Sequence, residues 1–250
     1  MHTCKNCNTS FEGNFCPNCG QKMIDGRYNL KDSIGWLLNS IFNLDHGFFY
    51  TTVKLIKKPG EVIGDVLNGV TIKYTHPFRL LFLWATISTI LVVVLGTYDA
   101  QTSDMYQNFD FSEDQIEFQK KMNEVLKKYL NFVIMLNVPI IAFFSWLFYR
   151  KHKLNYTEHL IINSYAFVTT TSLGVILVFA QYFLDNPSSM IWFSMLVNVA
   201  LVGYVYSSFF KENYFASFFK YLAAFLLSYI GLMIISAIGV IVYFIATGKG

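Results

Sequence analysis

The sequence is poor in charge. Aspartate, glutamate, lysine and arginine together make up 14% of its 250 residues, against roughly 25% in soluble globular domains. Hydrophobic residues reach 54% and aromatic residues 18%, which excludes a disordered chain, and they gather in runs too long for a soluble core. Cysteine is absent after position 19, which excludes a disulfide-framed scaffold for most of the chain. No apolar run precedes Cys4, so neither a secretory signal peptide nor a lipid-attachment cysteine is expected. G-x-S-x-G, Walker A and H-E-x-x-H patterns are also missing. No catalytic or cofactor-binding residue is therefore assigned, and a non-enzymatic protein is expected.

What is present begins with metal-ligand spacing. Cys4-Lys5-Asn6-Cys7 and Cys16-Pro17-Asn18-Cys19 are two C-x2-C pairs. Each pair can wrap one side of a metal in a tight turn, and two such knuckles complete a tetrahedron. Four thiolates suit zinc, which has no ligand-field preference. Gly20 after the second pair and Asn8 after the first stand where the chain must turn left-handed. An iron–sulfur cluster and a pair of disulfides are the competing readings. The turn residues and the missing signal segment favour one structural zinc ion held by Cys4, Cys7, Cys16 and Cys19. A ribbon over residues 1–22 is too small to fold without its metal, and Phe11 and Phe15 are its expected miniature core. It carries Lys5 and Lys22 against Glu12, too neutral a surface for a phosphate backbone. A protein partner is expected there, and nucleic acid is not.

Residues 23–77 read as an amphipathic juxtamembrane segment. Ile34, Leu37, Leu38, Ile41 and Phe42 fall on one helical face, with Ser33 as N-cap and a break at Asp45-His46-Gly47. A second helix carries Phe48, Phe49, Val53 and Ile56. Pro59-Gly60-Glu61 opens a third, with Val62, Ile63, Val66 and Leu67 on its apolar face and Gly69 as its stop. Such helices lie in the membrane interface or pack on a bundle. The lysines beside the stripe point to the cytoplasmic membrane surface for residues 33–68.

Five apolar runs occupy the rest of the chain, at 78–98, 129–149, 160–184, 190–210 and 221–246. About 20 helical residues cross the hydrocarbon, so the expected fold is an all-α polytopic membrane protein of about five spans over residues 78–250. Arg79, at the first turn of its run, is expected to snorkel to the interface, and Pro139 to kink its helix without breaking it. The connection 99–128 opens with acids and ends with lysines, its second half, from Ser112 on, reading as a helix that continues into the second span. Alternating sides places 14 lysines and arginines with the N-terminus and 5 opposite, so the N-terminus is expected in the cytoplasm and the C-terminus outside.

The strings Cys4 to Lys22, then 45–52 (D-H-G-F-F-Y-T-T), Lys58-Pro59-Gly60-Glu61-Val62-Ile63, Asn68-Gly69 and Tyr74-Thr75-His76-Pro77 resemble the bacterial family called domain of unknown function 3667. The resemblance implies a short cytoplasmic zinc ribbon, an amphipathic linker with a P-G turn, and a several-pass domain in the bacterial inner membrane. It implies architecture and location but no reaction. One departure is Gly69-Val70-Thr71, where the family often reads G-K-R, so a lipid-headgroup role for that turn is not carried over.

Polar residues inside the runs are Asn137, Asn163, Gln181, Asn198 and Thr169-Thr170-Thr171. None is ionisable, so interhelical hydrogen bonding is the expected role. Glu158 and His159, beside Arg150, Lys151, His152 and Lys153, read as a charge cluster anchoring helix ends. Ala224, Ser228 and Gly231 mark a small face for close packing. These features point to an integral membrane protein whose ribbon is a protein-binding or regulatory module. A small-solute transporter or channel is the alternative.

Overall fold

The computed structural model describes residues 2–23, 27–30, 47–97, 111–182 and 187–247. Two short strands, β1 (His2–Thr3) and β2 (Ser10–Phe11), pair antiparallel with His2 opposite Phe11. Beyond this hairpin the described chain is mostly helical: α1 (Gly47–Lys57), α2 (Pro59–Leu67), α3 (Pro77–Val94), α4 (Glu113–Phe148), a 3-10 turn at Arg150–His152, α5 (Tyr156–Tyr182), α6 (Pro187–Phe210) and α7 (Tyr214–Thr247). The stripe at 34–42 and the acidic stretch 98–110 lie outside the described residues.

Helix ends obey local chemistry. Pro59 and Pro77 open α2 and α3, where a missing N–H leaves no bond unmade. Ser112 and Gln115 form a capping box at the start of α4, and α4 continues unbroken from the polar stretch into the apolar one, as expected. Asn155 and Glu158 make a second such box at α5. The Glu158 N–H donates to Asn155 Oδ1 and the Asn155 N–H to Glu158 Oε2, both at 2.8 Å. The helix α4 runs through Pro139, whose carbonyl oxygen accepts from the Tyr156 hydroxyl at 3.1 Å.

In the bundle, α5 packs against α3, α4 and α6, while α7 packs against α4 and α6. Three stretches, Pro77–Val94, Tyr156–Ala180 and Tyr214–Ile234, are long and apolar enough to cross a membrane. Met135–Phe148 and Leu196–Phe210 are shorter apolar stretches. The protein is thus mostly helical and membrane-like. Ala224 and Ser228 are buried, and a Cβ on Gly231 would meet Ile140 Cγ2 of α4 at 3.4 Å, so the small face of α7 is a packing face.

The described part of the linker does not lie flat on a membrane surface. Leu55, Val62, Ile63 and Val66 are buried in the main core, because α2 sits against α5 and α6. Gly60 makes that approach possible: a Cβ there would stand 2.4 Å from the Ser208 carbonyl oxygen. α1 leans on α3, its Phe48 ring stacked on Trp84 with centroids 5.5 Å apart and its Thr52 Oγ1 accepting from Trp84 Nε1 at 3.0 Å. The outer face of α1, with Phe49 76% exposed, and Tyr50 and Val53 half exposed, remains for lipid, as do the half-exposed Leu30 and Ile72. Arg79 also departs from expectation. Instead of snorkelling it is buried, as is His76 one turn before it. Burial, reinforced by the nearby Arg79 charge, pushes His76 down to about 3.

Candidate metal centre

The ribbon is built from two near-identical knuckles. In the first, the Asn8 N–H donates to the Cys4 carbonyl and the Cys4 N–H to the Thr9 carbonyl, both at 2.9 Å. In the second, Gly20 and Cys16 repeat both bonds with Cys16 and Gln21 at the same distance. Asn8 and Gly20 have φ of 60° and 73°, the left-handed turn the sequence predicts at both places. These turns bring Sγ of Cys4 to 3.6 Å from Cys19 and Sγ of Cys7 to 3.6 Å from Cys16. All four sulfurs lie within 4.8 Å of one another, and none is in a disulfide. A tetrahedron with metal–sulfur bonds of about 2.3 Å spaces its sulfurs roughly 3.8 Å apart, so the four ligands can hold a metal ion.

The thiols are unequal. Hydrogen bonding to the Thr9 side chain, then to its backbone, holds Cys7 down at about 5. Burial pushes Cys16 up to about 11. A bound cation favours the thiolate at every ligand.

The expected miniature core is half right. Phe11 is buried between Cys4 and Cys16 with Met23 packed beside it. Phe15 is 61% exposed and only pairs its backbone with Lys22. A ribbon with two buried sulfurs at its centre has room for a single large ring, and Phe11 fills it.

The ribbon is fastened to the helices at Gln21, and the segment after it at Arg27. Gln21, 3% exposed, inserts its amide into the turn between α2 and α3. Its Nε2 donates to Thr71 Oγ1 at 2.8 Å and to the Lys22 carbonyl at 2.9 Å, and its Oε1 accepts from the N–H groups of Thr71 and Ile72 at 3.0 Å. Thr71 stands in the departure from the family's G-K-R. A second fastening comes at Arg27, which pairs with Glu158 through both Nε and Nη2 and donates to the Lys153 carbonyl at 2.7 Å. Asn155 adds a bond to the Tyr28 carbonyl at 3.0 Å. Glu158 is therefore a buried acid shared by a capping box and an arginine, so the charge cluster expected to anchor helix ends here also forms a docking point.

Beside that point lies a buried polar group that the sequence did not bring together. His159, Ser145, Tyr206 and Asn163 come from three helices and are all buried. Ser145 Oγ is 2.7 Å from His159 Nδ1, and the Tyr206 hydroxyl is 2.8 Å from both Ser145 Oγ and Asn163 Oδ1. The Asn163 amide N–H donates to the His159 carbonyl at 2.8 Å. Asn163 Oδ1 can only accept, so the Tyr206 proton goes to it. Ser145 must then give its proton to Tyr206, and His159 Nδ1–H must donate to Ser145. The chain of donors fixes the imidazole tautomer and leaves Nε2, which has no hydrogen-bond partner among the described residues, as a buried acceptor.

The other polar residues of the runs stay within their own helices: Asn198 bonds to the Ser194 carbonyl, Thr169 to that of Tyr165 and Thr170 to that of Phe167. Asn137 lines a cavity between helices. The side chain of Gln181 lies outside the described residues. At the next connection Glu212 gathers Lys151, Lys220 and His152 at 2.6–2.8 Å. Burial opposes the charge on Glu212, but the three bases outweigh it and hold its carboxyl down at about 2.

Residues 45–89 match the protein family described as "Protein of unknown function (DUF3667)". The matched segment covers α1, α2, the turn that receives Gln21, and α3 as far as Thr89, which bears out the resemblance read from the sequence; the ribbon lies outside the match. Neither the comparison with curated proteins nor that with solved structures returned a match.

Proposed function

We propose that this protein is a non-enzymatic, five-span protein of the bacterial inner membrane whose cytoplasmic ribbon binds one structural zinc ion and serves as a regulatory, protein-binding module. The observation that carries the reading is the Gln21 amide buried in the turn at Thr71–Ile72. Gln21 directly succeeds the second knuckle, and its own carbonyl closes that knuckle by accepting from Cys16. Ordering of the metal site and docking on the bundle therefore involve the same residue. The exposed Phe15 offers a partner an apolar contact on the ribbon.

The span count and sidedness are part of the same proposal. Arg27 pairs with Glu158, Gly60 abuts Ser208, and Glu212 gathers Lys151 and His152. These contacts draw the N-terminal segment, the α4–α5 connection and the α6–α7 connection together, which supports the reading of five alternating spans. Together they carry the excess of lysine and arginine, which supports a cytoplasmic assignment.

The test is metal removal from the detergent-solubilised full chain, with hydrogen exchange as the readout. Chelation is expected to deprotect residues 2–23 and then the docking segments 68–75 and 153–158, while α5 and α7 keep their protection. If the ribbon opens and both docking segments stay protected, the ribbon is not coupled to the bundle and the regulatory reading fails.

A further inference from the structure

Between α4, α5, α6 and α7 lie two adjoining cavities of about 260 and 250 Å³. They share Phe167, Thr170, Tyr221, Phe225 and Tyr229 as walls. Side by side they reach the size range of small-ligand pockets.

The polar lining is specific and incomplete. Asn137, Asn163 and Thr170 line the first cavity and Asn198 the second. Asn163, held rigidly by Tyr206 and the His159 carbonyl, has a second amide N–H beyond those two bonds. Thr170 gives its proton to the Phe167 carbonyl and keeps its lone pairs. Asn198 likewise spends one N–H on the Ser194 carbonyl, leaving Oδ1 as an acceptor. Asn137 makes no hydrogen bond to any described residue. Amides unpaired at membrane depth cost free energy, so this lining is suited to a ligand that both donates and accepts.

The charge of that ligand is fixed by what the walls lack. Among the lining residues there is no Asp, Glu, Lys, Arg or His, so a carboxylate, phosphate or ammonium would enter without a counter-charge. The remaining wall is aromatic, and Phe225 and Tyr229 meet edge-on with centroids 4.7 Å apart. Tyr229 is half exposed on α7, whose apolar stretch faces largely outward. The cavity therefore has a side toward the bilayer along which a hydrocarbon chain can leave.

We propose that these cavities form a binding site for an uncharged single-chain lipid. Its hydroxyl or ester head sits on Asn137, Asn163 and Thr170, and its chain passes Phe225 and Tyr229 into the membrane. This site is separate from the ribbon and does not depend on it.

The test uses the full chain in nanodiscs and a monoacylglycerol carrying a photoreactive diazirine in its acyl chain. After irradiation, labelled peptides are mapped by mass spectrometry. The expected adducts fall within 163–170 and 221–232. Unlabelled monoacylglycerol should compete, and palmitate at pH 8, with the same chain and a charged head, should not. Asn137→Leu and Thr170→Val should each lower labelling about tenfold, the loss of one hydrogen bond. Thr170→Val conserves volume, so the test survives if Asn137→Leu does not fold. Labelling spread evenly over the lipid-facing helices would overturn the proposal. So would equal competition by palmitate, or unchanged labelling in a well-folded Thr170→Val protein.

Discussion

Replacing Gln21 by leucine probes the joint between ribbon and bundle with little change in volume. The substitution removes the acceptor for two backbone N–H groups, Thr71 and Ile72, and the donor to Thr71 Oγ1. A buried donor left unmade costs about 1–3 kcal/mol. The Thr71 bond is buried and the Ile72 bond partly so, giving a combined loss of about 2–4 kcal/mol. If exchange at these amides proceeds through undocking, their protection should fall by about thirty- to a thousandfold. The assay is hydrogen exchange of the solubilised protein, with metal content measured in parallel, since no Cys ligand is touched. Thr71→Val supplies the double-mutant cycle, which should return a coupling of about 0.5–3 kcal/mol. Full metal occupancy with unchanged protection over 68–75 would refute the argument that this amide holds the ribbon in place.

Elemental analysis should find one zinc per chain, and Cys16→Ser should release it while far-ultraviolet circular dichroism keeps the helical signal of the bundle. Gly60→Ala should destabilise by about 1–3 kcal/mol in thermal melts, because its Cβ would strike the Ser208 backbone; a neutral result would mean α2 is not seated on α6. Glu212 has a carboxyl held below its ordinary value of 4.5, at about 2. Its contribution is present above about pH 4.5 and is lost as the pH falls toward 2, and Glu212→Gln should abolish that slope in acid melts. Single cysteines at Thr102 and Thr247, in a background without the native four, should react with an impermeant thiol reagent in intact cells, and one at Lys57 should not.

Much of the architecture was legible because it is written locally. The left-handed positions of Asn8 and Gly20, the Ser112 capping box, the proline starts and the Gly69 stop each depend on a few consecutive residues. The contacts that join these parts were not. Arg27 meets Glu158 across 131 positions and Gln21 meets Thr71 across 50. Nothing in the local spelling of either residue marks the pairing. The grouping of Ser145, His159, Asn163 and Tyr206 was likewise invisible. Asn163 reads as one polar residue of an apolar run and His159 as part of a charge cluster, and Ser145 and Tyr206 carry no signal until three helices bring them together. The error at Phe15 has the opposite origin. A local rule, that an aromatic in a small ribbon is core, ignored the volume already taken by two sulfurs and Phe11.

The helix α4 has a mechanical consequence. Its 36 residues give a rod about 54 Å long, of which Met135–Phe148 is the apolar end. The charged stretch 113–128 that precedes the apolar part forms a stiff arm about 24 Å long. The same rod carries Asn137 at one wall of the lipid-sized cavity and Ser145 in the buried donor chain. A tilt of about 10° pivoting at the base of the arm displaces the free tip by about 4 Å on an arm of this length. A load applied to the arm would thus reach the cavity wall as a fraction of an ångström per residue. It would do so along one helix with no loop between to absorb the motion, even though Pro139, which has no N–H, leaves the Met135 carbonyl out of the helical ladder.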